Sequence, residues 1–135
     1  MQLQVFHMAV MLLFLVVFAE ASLSKIIARE TPQWFVDQFK ETWLGKLAPV
    51  PLMYWTIAIF ELAIAVLFVI AAVQMEFLPS VANEFTGWGA LAAMVLFTIL
   101  CFGQRVAMDY AGAASSFFYA GISGMLWYVI TNLPK

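Results

Sequence analysis

Apolar residues in this chain gather into four long runs, at about residues 5–28, 52–74, 87–107 and 110–133. They are separated by a stretch of about 23 residues, one of about 12, and a tight turn. The 22 residues from Leu52 to Val73 rise roughly 33 Å as a helix, enough to cross a hydrocarbon core about 30 Å thick. The pattern predicts four membrane-spanning helices. Four crossings put both termini on one face, side A, and leave the long first connection and the tight turn on the other, side B. The last two runs, hinged near Met108, Asp109 and Tyr110, read as an antiparallel helical hairpin. The expected fold is all-α: an integral membrane four-helix bundle in which residues 1–135 form a single transmembrane domain.

The first connection has a pattern of its own. Thr31 before Pro32 reads as a helix opening and Gly45 as a stop, while Trp34, Phe35, Phe39 and Trp43 recur at helical spacing among Asp37, Lys40 and Glu41. This predicts an interfacial amphipathic helix over about 32–44, either covering the bundle mouth or acting as a lid or docking surface. Pro49 and Pro51 then turn the chain into the second span. In the fourth run, Gly112, Ser116, Ala120 and Gly124 recur every four residues, widened by Ser115 and Gly121. They form a face without bulk on which membrane helices approach closely.

Composition narrows the class. With 65% hydrophobic and 10% charged residues and a mean hydropathy of +0.97, the chain is far from a soluble domain, where about a quarter of residues are charged. A length of 135 residues leaves no room for a separate soluble catalytic domain beside four spans. A net charge of −2 without a basic run excludes nucleic acid as a partner. Cys101 is the only cysteine, so no internal disulfide, dithiol pair or cysteine-built metal site can form; it reads as a small buried apolar residue. His7, the only histidine, lies near side A, where interfacial hydrogen bonding suits it better than haem or metal ligation. No glycine-rich nucleotide loop and no nucleophile with a positioned base occurs, so no catalytic residue is assigned, and an enzyme acting alone would need a borrowed cofactor.

The opening Met-Gln-Leu-Gln lacks a positive flank and the first run passes into Glu20 without a cleavage pattern, so that run reads as a retained span. Lys25, Arg29, Lys40, Lys46 and Arg105 fall on side B, against Lys135 on side A. The positive-inside rule then makes side B cytoplasmic and both termini external. Trp34, Trp43, Tyr54, Trp55 and Tyr110 near side B, with Trp88, Trp127 and Tyr128 near side A, suit two interfacial aromatic belts.

The candidate chemistry is ionic. Glu61 lies near the middle of the most apolar run, where an ionisable group costs about 2.5–3.5 kcal/mol on insertion scales unless it finds a partner or a polar cavity. Counted inward from side B, Glu20 and Glu61 lie at roughly 12 and 14 Å, level with each other. Lys25 sits near the end of the first span, Arg105 ends the third and Asp109 begins the turn after it. The two long cations can bend inward to the acids or snorkel outward to headgroups. If they bend inward, Glu20, Lys25, Glu61, Arg105 and Asp109 form one cluster. That cluster is either a network fixing helix order or a polar pocket opening to side B for a headgroup, a quinone or substrate carbonyl, or a proton.

Three segments bear a family likeness. Phe18-Ala19-Glu20-Ala21-Ser22-Leu23-Ser24-Lys25-Ile26 at the end of the first span, Ile59-Phe60-Glu61-Leu62 in the proline-led second span, and the hairpin into Asp109-Tyr110-Ala111-Gly112-Ala113-Ala114 resemble the DoxX-like family of small four-span membrane proteins. The chain departs from the pattern at Ala21, Ala63 and Ala65, where the family favours glycine, and in the extra acid Glu20. The resemblance implies an accessory or structural subunit of a larger bacterial or archaeal inner-membrane complex, respiratory or redox in kind. Lys25 and Glu61 are the matching positions. Its partners would be membrane lipid and other membrane subunits or further copies of itself. A small binding module holding a quinone or lipid near Glu61, with no intrinsic cofactor, is the alternative, and an oligomeric proton-coupled transporter is a third reading.

Overall fold

The structure, a computed structural model, describes the backbone of residues 2–77 and 79–132 and the side chains of residues 5–75 and 84–132. Six helices follow in order: α1 Gln2–Ala28, α2 Gln33–Phe39, α3 Trp43–Leu47, α4 Val50–Phe77, α5 Pro79–Val106 and α6 Tyr110–Thr131. Among the described residues there is no strand. Four of the helices contain stretches long and apolar enough to cross a membrane: Val5–Ala28, Val50–Met75, Glu84–Val106 and Tyr110–Thr131. The fold is an all-α bundle of four such helices. In place of the expected 12-residue connection after the second span, α4 runs on to Phe77 and α5 begins at Pro79.

Neighbours in the bundle are α1 with α4, α4 with α5, and α5 with α6. The buried positions explain these contacts. On α1 they are His7, Val10, Met11, Phe14, Phe18 and Ser22, with Lys25 half-buried next in line. On α4, Val50, Tyr54, Ala58, Glu61, Ala65 and Phe68 are buried; on α6, Ala113, Ser116, Ser123 and Ile130. Steps of three and four residues give a seam of the kind that packs helices at shallow angles. Phe14, Phe18, Ile64, Phe68 and Leu96 fill the centre, with the Phe14 and Phe68 rings stacked at 5.1 Å. Phe68 lies against Gly89 of α5, where an added Cβ would sit 2.7 Å from the ring.

The small residues of α6 divide between two faces. A Cβ at Gly112 would come within 2.9 Å of the Gln104 amide nitrogen, and one at Gly124 within 2.7 Å of the Met94 sulfur, so both glycines meet α5. Gly121 faces open space and Ser115 is exposed, so neither widens that contact.

Helix ends are closed by specific devices. At the tight turn, Asp109 N–H donates to the Gln104 carbonyl (2.8 Å) and Met108 N–H to that of Arg105 (3.1 Å). With Met108 at φ 61° this is a Schellman ending in which methionine occupies the place glycine usually takes. Asp109 then caps α6, its carboxylate accepting from Gly112 N–H at 3.0 Å.

The expected single amphipathic helix over 32–44 is instead two short helices with a break at residues 40–42. Pro32, not Thr31, is the N-cap of α2, and no side chain caps it. Gly45 lies inside α3 rather than stopping a helix. The reason is steric: a Cβ at Gly45 would stand 2.1 Å from the Phe39 carbonyl oxygen, so only glycine lets α3 fold back on the end of α2. Thr42 bridges the break, donating to Phe39 O (2.7 Å) and accepting from Gly45 N–H (3.1 Å). The aromatics separate by face. Phe35 and Phe39 are buried against Val50 and Tyr54, while Trp34 and Trp43 point outward. Tyr54 is therefore a core residue under α2 and not a belt anchor.

Candidate functional site

The site forms where the ends of α1 and α4 meet α2. Lys25, in the last turn of α1, places its ammonium 2.5 Å from Glu61 Oε2 on α4. The Glu61 side chain is 8% exposed and that of Lys25 20%. Lys25 Nζ also stands 5.8 Å from the centre of the Tyr54 ring, a cation–π distance. The Phe35 ring meets Tyr54 edge-on at 5.1 Å and closes the assembly from the α2 side. Lysine suits this place twice over. Its long apolar stem can follow the helix surface, and its charge lies where the α1 macrodipole is negative.

The structure brings together two of the five residues expected to converge. Glu20 is exposed on α1. Five residues correspond to about 140° of helix rotation, so when Lys25 faces α4, Glu20 turns away from it. Arg105 is exposed and snorkels outward, its guanidinium carbon 5.1 Å from the Tyr110 ring centre. Asp109 serves as the α6 cap. The expected five-residue cluster is corrected to a Lys25–Glu61 pair with Tyr54 beside it. The equal depths of Glu20 and Glu61 were no guide to contact, because depth says nothing of the direction a helix position faces.

Two polar links were missed. His7 Nε2 lies 2.8 Å from Thr86 Oγ1, both groups buried, and joins α1 to α5 at side A, so His7 is interior rather than interfacial. Gln104 on α5 meets Ser116 Oγ on α6 at 2.6 Å. With its amide nitrogen turned to α6, Gln104 donates to both Ser116 Oγ and the Gly112 carbonyl, the latter at 2.9 Å. His7, Thr86 and Ser116 fall on the three-and-four spacing of buried positions, which was the available signal, and Gln104, half-buried, lies two further four-residue steps beyond Leu96.

Chemically, the pair is a carboxylate and an ammonium that neutralise each other away from water. Among the described residues no three of His, Cys, Asp and Glu gather as metal ligands would. No family model, curated protein or solved structure matches the chain.

Proposed function

We propose that this protein is a DoxX-like accessory subunit that works inside a larger membrane complex of respiratory or redox type without a redox centre of its own. The observation that carries the reading is the closure of Lys25 on Glu61. The most costly polar group in the apolar part of the fold is engaged by the protein itself, which suits a lock between α1 and α4. A quinone or lipid oriented by Glu61 would have to displace that ammonium, and a proton route through Glu20 and Glu61 would need two acids that face each other. Both rivals are therefore less well supported. The outer face of α6, with Phe117, Phe118, Ile122 and Met125 each more than half exposed, offers apolar surface for neighbouring subunits. The redox part of the reading rests on the resemblance around Lys25 and Glu61, and the orientation, with termini external, on the distribution of Lys and Arg.

The test is tagged purification of the full chain from its native membranes in mild detergent, with quantitative mass spectrometry against an unrelated tagged four-span protein. Stoichiometric recovery of membrane oxidoreductase subunits is expected. Recovery of the chain alone, together with quinol turnover by that preparation, would overturn the proposal.

A further inference from the structure

Arg105 lies in the last turn of α5 at side B, and among the described residues no carboxylate comes within ion-pair distance of it. Asp109, the nearest acid in sequence, is committed to the Gly112 amide. Between α5 and α6 a crevice of about 240 Å³ opens beside the guanidinium. Its walls are Tyr110, Cys101, Ala113, Ala114 and Phe117. Phe117 is seven residues into α6, so the crevice runs roughly 10 Å from the helix end toward the membrane interior. Two alanines line the groove, and beside Arg105 and Tyr110 the remaining lining residues are apolar or weakly polar. It is distinct from the Lys25–Glu61 pair, which bridges α1 and α4.

We propose that this crevice binds an anionic phospholipid, with its phosphate on Arg105 and the start of an acyl chain along Ala114 and Phe117. The charge pattern selects this occupant. A planar guanidinium offers paired donors to phosphate oxygens, and no lining residue is acidic. Apolar walls continuing below headgroup level demand a molecule that is charged at one end and hydrocarbon at the other. Basic pockets between membrane helices favour acidic headgroups for the same reason. Tyr110 holds the guanidinium by its ring, which restricts its wandering and leaves its N–H edge for the ligand.

The experiment is native mass spectrometry of the full chain released from micelles containing equimolar phosphatidylglycerol and phosphatidylcholine. The wild type should retain the anionic lipid about fivefold over the neutral one, the preference expected of one basic contact. Arg105→Gln should bring the ratio to about one, Arg105→Lys should keep part of it, and Ala114→Leu should lower retention by filling the groove. Arg29→Gln removes an exposed cation at the same end of the bundle and should leave the ratio unchanged. Equal retention of both lipids by the wild type would overturn the proposal. So would an undiminished preference in both Arg105→Gln and Ala114→Leu, or a loss in Arg29→Gln equal to that in Arg105→Gln.

Discussion

Replacing Lys25 with Met keeps the apolar stem and removes the ammonium that faces Glu61. The Glu61 side chain, 8% exposed, is then a buried acid without a counter-ion. Breaking a buried pair by removing one partner leaves the other uncompensated, and the expected loss is about 3–5 kcal/mol.

Glu61→Gln is milder. The Lys25 side chain is 20% exposed at the end of α1 and can swing outward to the headgroups, so a loss of about 1–2 kcal/mol is expected. In the double variant both charges are gone and only a buried amide remains to be satisfied. Its loss should also be about 1–2 kcal/mol, so adding Glu61→Gln to Lys25→Met restores stability. The coupling between the two sites then equals the Lys25→Met loss, about 4 kcal/mol. Equilibrium unfolding of purified protein in mixed micelles, titrated with dodecyl sulfate and followed by tryptophan emission, measures all three. A Lys25→Met loss below about 1 kcal/mol, or a double variant weaker than either single one, would refute the reasoning that this pair locks α1 to α4.

Gly45→Ala should dislodge α3 from the end of α2, because its Cβ meets backbone at 2.1 Å and cannot be accommodated by a rotamer change; faster proteolysis within residues 40–48 reads this out. Gly89→Ala would set its Cβ only 2.7 Å from the fully buried Phe68 ring and should cost about 1–3 kcal/mol in the same unfolding assay. Met108→Gly should stabilise the α5–α6 hairpin by about 0.5–1 kcal/mol, since φ 61° is strained for methionine and easy for glycine. Bonds first from Lys40 and then from Gln33 hold the Asp37 carboxyl below the usual carboxylate range. Its contribution to α2 is thus present above the unfolded value and lost as pH falls through the lower folded one. Trp34 emission should therefore change below about pH 4 in the wild type and stay level in Asp37→Asn.

The four long helices were legible because apolar length alone defines them, and the hairpin turn because polar residues interrupt two apolar runs at Met108 to Tyr110. The second connection was misjudged for the same reason: Glu76, Glu84 and Thr86 look like loop residues by polarity, yet the helices continue through those positions. The break between α2 and α3 depends on the clearance at Gly45, which no periodicity reveals. For the site, Glu61 and Lys25 were identified by their cost and depth. The exclusion of Glu20 and Arg105 needed azimuth: Arg105 lies nine residues from the buried Leu96, about 180° around α5, and nine residues' worth of phase is readable once a seam has been recognised.

That seam also explains how the bundle chooses its helix order. Lipid tails are as apolar as leucine, so hydrophobicity cannot tell a helix which neighbour to take, and choice must come from polar pairs and from shape. Each packed pair here has at least one such device. Lys25–Glu61 joins α1 to α4, and Gln104–Ser116 joins α5 to α6. The fit of Phe68 to Gly89 joins α4 to α5, and His7–Thr86 ties α1 back to α5 at the far end. α6 meets α5 both through Gln104–Ser116 and through the fit of Gly124 to Met94, and its span has the smallest buried share of the four. A partner subunit would find exposed apolar surface there. If α6 is where assembly occurs, loosening Gln104–Ser116 should weaken partner recovery before it unfolds the remaining three helices.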